Sequence, residues 1–213
     1  MNKMIITVDG PAGSGKQRIA KYIASKYKFF HLDSGVLYRR LTSKIIKNKI
    51  NINNSVSIKK FIQSLSTLSS RNHYTLRKEN ISKASAKIAK ISAVRIFINN
   101  QQKIIVKKML KLFQGCVIDG RDIGSKVFIE AQIKLFIDVK VQIRAKRRHK
   151  QLIEIGEKSI HAQILKEIQL RDKLDINRKH SPLIKPKGSI TIDNSEDFKT
   201  TIIAVNIALK KIK

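Results

Sequence analysis

The segment MIITVDGPAGSGKQRIAKYIASKY (4–27) restricts the possible folds more than any other part of this chain. An apolar run leads into a glycine-rich stretch, which leads into a pattern with apolar residues three and four positions apart. Glycines let successive backbone N–H groups face inward, the start of the helix adds a positive dipole, and Lys16 adds a full charge. The segment therefore predicts a strand, a phosphate-binding loop and a helix.

The residues of this loop are our candidates for binding the phosphates of a nucleotide. They are Gly10, Pro11, Ala12, Gly13, Ser14, Gly15, Lys16, Gln17 and Arg18. The alternative interpretation is a tight turn with a solvated lysine. Phosphate loops usually carry Ser or Thr next after the lysine or one position later, where the hydroxyl helps to hold a nucleotide-bound metal. Here Gln17 and Arg18 stand at those positions, so we expect weakened handling of Mg²⁺.

Further apolar runs and helical patterns alternate along the rest of the chain. Short apolar runs, typical of buried parallel strands, occur at 29–32, 116–119, 134–138 and 189–193, in addition to 4–8. Helical spacing occurs at 16–27, 35–47, 57–69, 79–112, 141–155, 159–176 and 196–211. The segments 48–57 and 178–188 are expected to be loops. Strands that alternate with helices predict an α/β fold with a five-stranded parallel sheet.

Composition excludes some classes of protein and weakens the case for others. The 213 residues include 45 lysines and arginines against 15 acids, a formal charge of +30, which alone suggests a nucleic-acid partner. However, these cations are spread along the chain together with many Ile and Asn residues, so A/T-rich codons can account for them. We therefore expect only weak, salt-sensitive association with RNA. No apolar run reaches the roughly 18 residues of a membrane span, which indicates a cytoplasmic protein.

Cysteine and histidine give no sign of a metal site. Cys116 is the single cysteine and lies in an apolar run, where core packing is its expected role. The five histidines show no metal-ligand spacing such as HExxH.

Three further motifs follow the phosphate loop in a fixed order. They are DSGVLYR (33–39), DGRDIGS (119–125) and RDKLDINR (171–178), the last followed by SPL. With the phosphate loop, they resemble the motif set of cytidylate kinases, which are P-loop nucleoside monophosphate kinases. A weaker match is the pair Leu76-Arg77. The resemblance covers almost the whole chain and implies a three-layer P-loop fold with a mobile monophosphate-binding insert at about 34–90 and a helical lid at about 141–180, within one kinase domain.

The resemblance also implies roles for particular side chains. Arg39 and Arg121 are candidates for the acceptor phosphate, which suits the planar fork of arginine. Ser34, Arg77 and Asp122 correspond to the family's base-recognition set. An ionised carboxylate only accepts hydrogen bonds, so Asp122 suits the amine of cytosine and disfavours the carbonyl of uracil.

Two arginine groups are expected to close over the substrates. Arg171, Asp175 and Arg178 share one helix face over about 10 Å and, by resemblance, contact the acceptor sugar and the phosphates. Arg144, Arg147 and Arg148 cluster in the region that resembles the lid, although a solvated basic face is an open alternative. Asp119 either orients the water shell of the metal or has a purely structural role.

The implied reaction is in-line transfer of the γ-phosphoryl group of MgATP to CMP or dCMP by a monomer, without a covalent intermediate. The resemblance implies Lys16, Arg171 and Arg178 as the catalytic residues, which act by alignment and charge neutralisation. Departures from the family pattern leave alternatives open. The insert between Arg39 and Arg77 is short, and Leu174 and Ile176 stand where relatives often have arginine. A kinase of shifted acceptor choice, such as UMP, and a nucleotide- or RNA-binding protein without catalysis are the alternatives.

Overall fold

A computed structural model describes residues 3–71, 73–154, 156–178 and 181–210 of the chain. Five strands form one parallel sheet in the order β2-β3-β1-β4-β5. Their bounds are β1 Met4–Asp9, β2 Phe30–Asp33, β3 Gly115–Gly120, β4 Ile133–Asp138 and β5 Ile190–Asp193. All five lie within one residue of the apolar runs, so the predicted α/β fold with a five-stranded parallel sheet is confirmed.

Eight α-helices connect and flank these strands within the described residues. They are α1 Lys16–Tyr27, α2 Ser34–Lys47, α3 Ser55–Gln63, α4 Glu79–Ile88, α5 Ser92–Met109, α6 Val141–Glu154, α7 His161–Ile176 and α8 Phe198–Ala208. A short 3-10 helix spans Tyr74–Arg77 and a single π-helical turn spans Ile123–Val127. In this part of the chain, no helix has both the length and the apolar character that a membrane span needs.

The chain divides into two compact units. The phosphate-loop unit contains residues 1–31 and 115–213, and the basic unit contains residues 32–114. The core of the phosphate-loop unit is built from the central strands and α1. Ile6, Val8 and Leu135 are fully buried on β1 and β4, and α1 buries Ile19 and Ile23. This burial fixes the carboxyl end of β1, where the glycine-rich loop begins.

Two helix predictions in the basic unit are wrong in their extent. The helix predicted at 57–69 ends at Gln63, and the backbone N–H of Leu68 donates instead to Oε1 of Gln101 at 2.7 Å. The helix predicted at 79–112 is two helices, broken between Ile88 and Ser92. Arg95 is 4% exposed and donates through Nη1 to the carbonyl oxygen of Ala89 at 3.2 Å, which satisfies a carbonyl that the break releases. No Gly or Pro marks either point in the sequence.

Candidate active site

The glycine-rich loop has the conformation that its composition predicts. Gly13 and Gly15 have φ of 73° and 81°, in the left-handed region that favours glycine. A Cβ on Gly10 would lie 2.6 Å from the carbonyl oxygen of Ile137 on β4, and a Cβ on Gly15 would collide with Nδ2 of Asn194. Each of these glycines is therefore required, either because its backbone has a positive φ or because a neighbouring atom leaves no room for a side chain.

The loop leads directly into the N-terminus of α1, where Lys16 is the first helical residue. Its Nζ donates to the carbonyl oxygen of Pro11 at 3.0 Å, so the ammonium group is held across the mouth of the loop. The hydroxyl of Ser14 is fully buried and has no hydrogen-bond partner among the described residues. A cation, a helix N-terminus and an unsatisfied hydroxyl at one loop form an anion-binding arrangement.

A buried side-chain relay holds this loop from the carboxyl end of β5. Asn194, 5% exposed, donates through Nδ2 to the carbonyl oxygen of Ser14 at 2.7 Å. Its Oδ1 accepts from the hydroxyl of Thr201 on α8 at 2.8 Å. Because both ends of the amide are bonded, the Asn194 side chain is fixed in orientation and positions the loop.

Arg18 is directed toward an aromatic ring. Its guanidinium lies 3.7 Å from the centroid of the Phe198 ring at the start of α8, and the ring of Tyr22 meets Phe198 edge-on. A cation over a ring face is a stabilising arrangement. The guanidinium that replaces the usual hydroxyl is thus anchored on α8.

The loop after β3 is bound to the end of β1. The backbone N–H groups of Ile123 and Gly124 donate to Oδ1 and Oδ2 of Asp9 at 2.8 and 2.7 Å. Asp9 is fully buried, and this burial raises the pKa of its carboxyl group to about 7, against the opposing effect of the two N–H groups. The loop carries Arg121 and Asp122, and Asp122 is 6% exposed.

Three of the predicted acceptor residues meet in one ion-pair cluster. Asp175 near the end of α7 accepts from Nη1 of Arg121 through one carboxylate oxygen and from Nη2 of Arg178 at 2.6 Å through the other. Burial, followed by the charges of Arg171 and Arg178, lowers the pKa of Arg121 to about 9. That value leaves Arg121 charged at neutral pH, so the cluster gathers positive charge around a single carboxylate.

Arg171 is exposed on the same helix, and its charge acts on Arg121. The predicted helix face shared by Arg171, Asp175 and Arg178 is wrong in its extent, because α7 ends at Ile176 and Arg178 lies beyond the helix. Arg178 contacts Asp175 from the segment that follows α7. After α7, the N–H of Leu183 donates to the carbonyl oxygen of Asp175 at 2.8 Å, which ties the SPL segment back to the helix. The segment 178–188 was predicted to be a loop, and residues 179 and 180 within it lie outside the described residues.

The three arginines predicted for the lid lie in different environments. Arg144 is 5% exposed and donates to the carbonyl oxygens of Ala12 and Val139 at 3.0 Å, and its guanidinium also pairs with Asp172 on α7. A solvated basic face is therefore excluded for Arg144. Arg147 donates to the backbone carbonyl oxygens of residues 194 to 196, and Arg148 is exposed.

Asp119 on β3 is 4% exposed, and its Oδ2 lies 2.7 Å from Nε2 of His31. This contact gives Asp119 a structural partner at the carboxyl end of the sheet. No group of three or more His, Cys, Asp or Glu side chains that could hold a metal ion occurs across 3–71, 73–154, 156–178 and 181–210.

In the basic unit, the DSG motif begins α2. Oδ1 of Asp33 accepts from the N–H of Val36 at 3.2 Å, and its Oδ2 accepts from Nη2 of Arg39 at 3.0 Å. A Cβ on Gly35 would lie 3.0 Å from Nη1 of Arg39, so glycine lets this arginine fold over the start of the helix. Ser34 is buried beside them, and the side chain of Arg77 lies outside the described part of the chain.

Sequence reasoning missed several residues that support the site. They are Asp9, His31, Asp172, Asn194, Thr201 and Phe198. Asp9 and Asn194 each stand at or directly after the carboxyl end of a parallel strand, where α/β proteins place their ligand sites. Their position at the end of a predicted strand was the sequence signal that could have identified them. The contacts of Thr201 and Phe198 depend on how α8 packs and leave no sequence pattern.

Comparison with known proteins identifies relatives over the whole chain. The family model described as cytidylate kinase matches residues 6–213. A cytidylate kinase of Fusobacterium nucleatum is 33% identical over 223 residues, covering 100% of this chain and 99% of that protein. The cytidylate kinase of Mycoplasmopsis synoviae is 37% identical and covers 90% of both chains, and that of Rickettsia akari is 38% identical over 90% of this chain and 84% of its own.

Solved structures support the fold alone. A Thermus thermophilus protein aligns over 100% of both chains with a TM-score of 0.57 at 12% identity. A gluconokinase from Sinorhizobium meliloti aligns over 99% of this chain and 94% of its own, with a TM-score of 0.51 at 12% identity.

Proposed function

The chain belongs to the cytidylate kinase family, and from this membership we propose that it transfers the γ-phosphoryl group of ATP to CMP and dCMP. The observation that carries the proposal is the ion-pair cluster of Arg121, Asp175 and Arg178. Two arginines held beside one carboxylate suit an acceptor that carries both a phosphate and sugar hydroxyls, because guanidinium groups bind the phosphate and a carboxylate accepts from hydroxyls.

The donor phosphates bind at the glycine-rich loop. Its N–H groups, the N-terminus of α1 and Lys16 supply positive charge, and the Asn194 relay holds the loop in shape. Because these groups are in place before the reaction, they stabilise the charge of the transition state without reorganising. Arg144, which joins Ala12 of the loop to Asp172 of α7, would link donor binding to the helix that carries the acceptor cluster.

Each of the acceptor-binding side chains is assigned to a part of the acceptor by its chemistry. Arg121 and Arg178 bind phosphate oxygens, Asp175 accepts from the sugar, and Asp122 accepts from the exocyclic amine of cytosine. Arg171 adds charge from the exposed face of α7. In the basic unit, Ser34, Arg39 and Arg77 are the residues we propose for base and phosphate recognition.

Mg²⁺ is part of the donor substrate and neutralises charge on the phosphoryl oxygens when it is bound with ATP. Two side chains of this protein are suited to contact a donor that carries Mg²⁺. The hydroxyl of Ser14 is buried without a partner inside the loop, and Asp119 places a carboxylate at the end of β3. Either group can accept from a metal-bound water. Gln17 and Arg18 offer no hydroxyl, so we propose that Mg²⁺ is held less firmly than by a Ser or Thr.

The cellular setting follows from these substrates. We propose a cytoplasmic monomer that acts in pyrimidine nucleotide metabolism, with ATP, CMP and dCMP as its small-molecule partners and no specific nucleic acid. The excess of positive charge then produces only weak, salt-sensitive contact with RNA.

The test is ADP formation from ATP and Mg²⁺ with CMP, dCMP, UMP, AMP or no acceptor. We expect CMP and dCMP alone to stimulate ADP formation. Lys16→Ala should abolish that stimulation, whereas Lys21→Ala, which removes an exposed lysine of the same helix, should not. Stimulation by UMP would contradict the proposed base selectivity. No stimulation by any acceptor, with RNA binding that survives high salt, would instead indicate a binding protein without catalysis.

A further inference from the structure

The carboxylate of Asp9 is fully buried, yet none of the proposed substrate contacts uses it. Asp9 is the last residue of β1, and the next residue is Gly10, the first of the phosphate loop. Burying a carboxylate is costly unless hydrogen bonds compensate it. The two N–H groups of Ile123 and Gly124 provide that compensation.

Asp9 holds both ends of the segment that carries Arg121 and Asp122. Gly120, just before the pair, is the register partner of Asp9 in the β1–β3 ladder. Just after the pair, the N–H groups of Ile123 and Gly124 donate to the Asp9 side chain. Two residues fixed at both ends by the same residue have little freedom to move, so the direction of their side chains depends on Asp9.

Gly124 shows how closely the loop must approach β1. A Cβ at this position would lie 2.6 Å from Oγ1 of Thr7 and 3.2 Å from Oδ2 of Asp9. Any side chain there would push the Gly124 N–H away from the carboxylate. The close approach of the loop to Thr7 and Asp9 therefore explains the glycine of the DGRDIGS motif.

We propose that Asp9 is a positioning residue that holds Arg121 and Asp122 in the conformation that binds the acceptor. The proposal rests on the function proposed above, because the acceptor is what these two side chains would bind. Since Asp9 directly precedes the phosphate loop, one residue connects the donor-binding and acceptor-binding loops of this unit.

The role requires a carboxylate. Two neighbouring N–H donors need two acceptor oxygens, and an asparagine would turn an NH₂ group toward one of them.

The charged groups that act on Asp9 are Asp122, which raises its pKa, and Lys16 of α1, which lowers it. With a pKa of about 7, the ionised form that accepts both bonds develops as the pH rises through neutrality. Protonation favours the folded state here, so this contribution to stability is lost as pH rises from about 4 to 7.

The first measurement compares Asp9→Asn with the wild type by backbone NMR and needs no substrate. The amide hydrogens of Ile123 and Gly124 should move upfield in the variant, because a charged acceptor is lost. In the wild type, the two amide shifts should titrate together near pH 7, and in Asp9→Asn this titration should vanish. Unchanged Ile123 and Gly124 amide shifts in the variant would overturn the proposal.

The second measurement separates the two substrates. Asp9→Asn should raise KM for CMP about tenfold and KM for ATP less than about twofold, since one charge-assisted hydrogen bond to the acceptor loop is lost. Asp138→Asn is the matched control, because Asp138 ends the neighbouring strand β4 with an exposed side chain, and it should change neither value. Equal increases in both KM values would indicate a merely structural role and contradict positioning.

If Asp9→Asn does not fold, Gly124→Ala tests the same contact with the carboxylate retained. It should raise KM for CMP selectively, and an unchanged KM for CMP would count against Asp9. A wild type that does not phosphorylate CMP would contradict the proposed function, while the amide comparison would still decide the role of Asp9.

Discussion

The two units of this chain differ in the number of acids that are available to pair with their arginines. In the phosphate-loop unit, partly buried carboxylates hold three arginines of the site: Asp175 pairs with Arg121 and Arg178, and Asp172 pairs with Arg144. The basic unit, residues 32–114, has eighteen lysines and arginines and only two acids. Of its arginines, Arg39 pairs with Asp33, whereas Arg95 and Arg40 donate to backbone carbonyl oxygens.

This difference distinguishes arginines that a carboxylate holds in place from basic residues that only add to the net charge. A guanidinium held by a carboxylate has a fixed direction, so it can meet a phosphate without first being ordered. Lysines without nearby acids raise the local positive potential, but no partner fixes the direction of their side chains. The formal +30 of the whole chain therefore says little about its chemistry, because the arginines that matter are those with carboxylate partners.

The largest effect is expected where a carboxylate holds two arginines. Asp175→Asn should raise KM for CMP by about tenfold to a hundredfold, or about 1.4 to 2.7 kcal/mol, because both Arg121 and Arg178 lose a charged partner. Glu167→Gln, an exposed change on the same helix, is the control and should have little effect. Steady-state kinetics at saturating ATP measure both variants. Equal behaviour of the two would show that the ion pairs do not position the site.

A smaller effect is expected at Asn194, whose uncharged side chain holds the phosphate loop through a hydrogen bond. Asn194→Ala removes the bond to Ser14 and should raise KM for ATP by roughly tenfold, the cost of about one buried hydrogen bond. KM for CMP should change little. Asn100→Ala, an exposed asparagine of α5, is the matched control. An increase confined to KM for CMP would contradict the assignment of this relay to the donor side.

Arg18, the second residue after the loop lysine, allows a test of metal handling at a position where a guanidinium packs on an aromatic ring. Arg18→Thr restores a hydroxyl and should raise kcat at limiting Mg²⁺ by about twofold to fivefold, within the range of one hydrogen bond. Arg18→Ala removes the Phe198 contact without adding a hydroxyl and should not raise kcat. A titration of kcat against Mg²⁺ distinguishes them. Unchanged or reduced turnover in Arg18→Thr would reject weakened metal handling.

The smallest effect should appear in the salt dependence of amide hydrogen exchange, which should differ between the two units. Raising KCl from about 20 to 300 mM screens the repulsion among the lysines of the basic unit and should slow amide hydrogen exchange there. The same salt weakens exposed ion pairs and should leave exchange in the phosphate-loop unit unchanged or slightly faster. Hydrogen exchange read by mass spectrometry reports each unit separately. Parallel changes in both would show that charge density does not distinguish them.

The regular elements were largely predictable because local patterns determine them. The helix 16–27 has the predicted bounds, since its apolar spacing and the preceding glycines act within a few residues. Two features of the basic unit were not predictable from apolar spacing. The break between α4 and α5 is stabilised by the bond from Arg95 to Ala89, and the residues after α3 are held by the bond between Leu68 and Gln101, 33 residues away. Neither point is marked by a Gly or Pro, and patterns of apolar residues do not contain side-chain hydrogen bonds.

The sequence by itself determined the parallel α/β fold, the glycine-rich loop and the order of the motifs, because each depends on residues that are close together in the chain. Only the tertiary structure decided what holds those motifs in place. Asp9 is 114 residues from Ile123, Asn194 is 180 from Ser14, and Arg121 is 54 from Asp175. The first two contacts arise because parallel strands bring their carboxyl ends to one edge of the sheet, and the third arises because α7 packs beside the loop after β3. That proximity is a property of the folded chain.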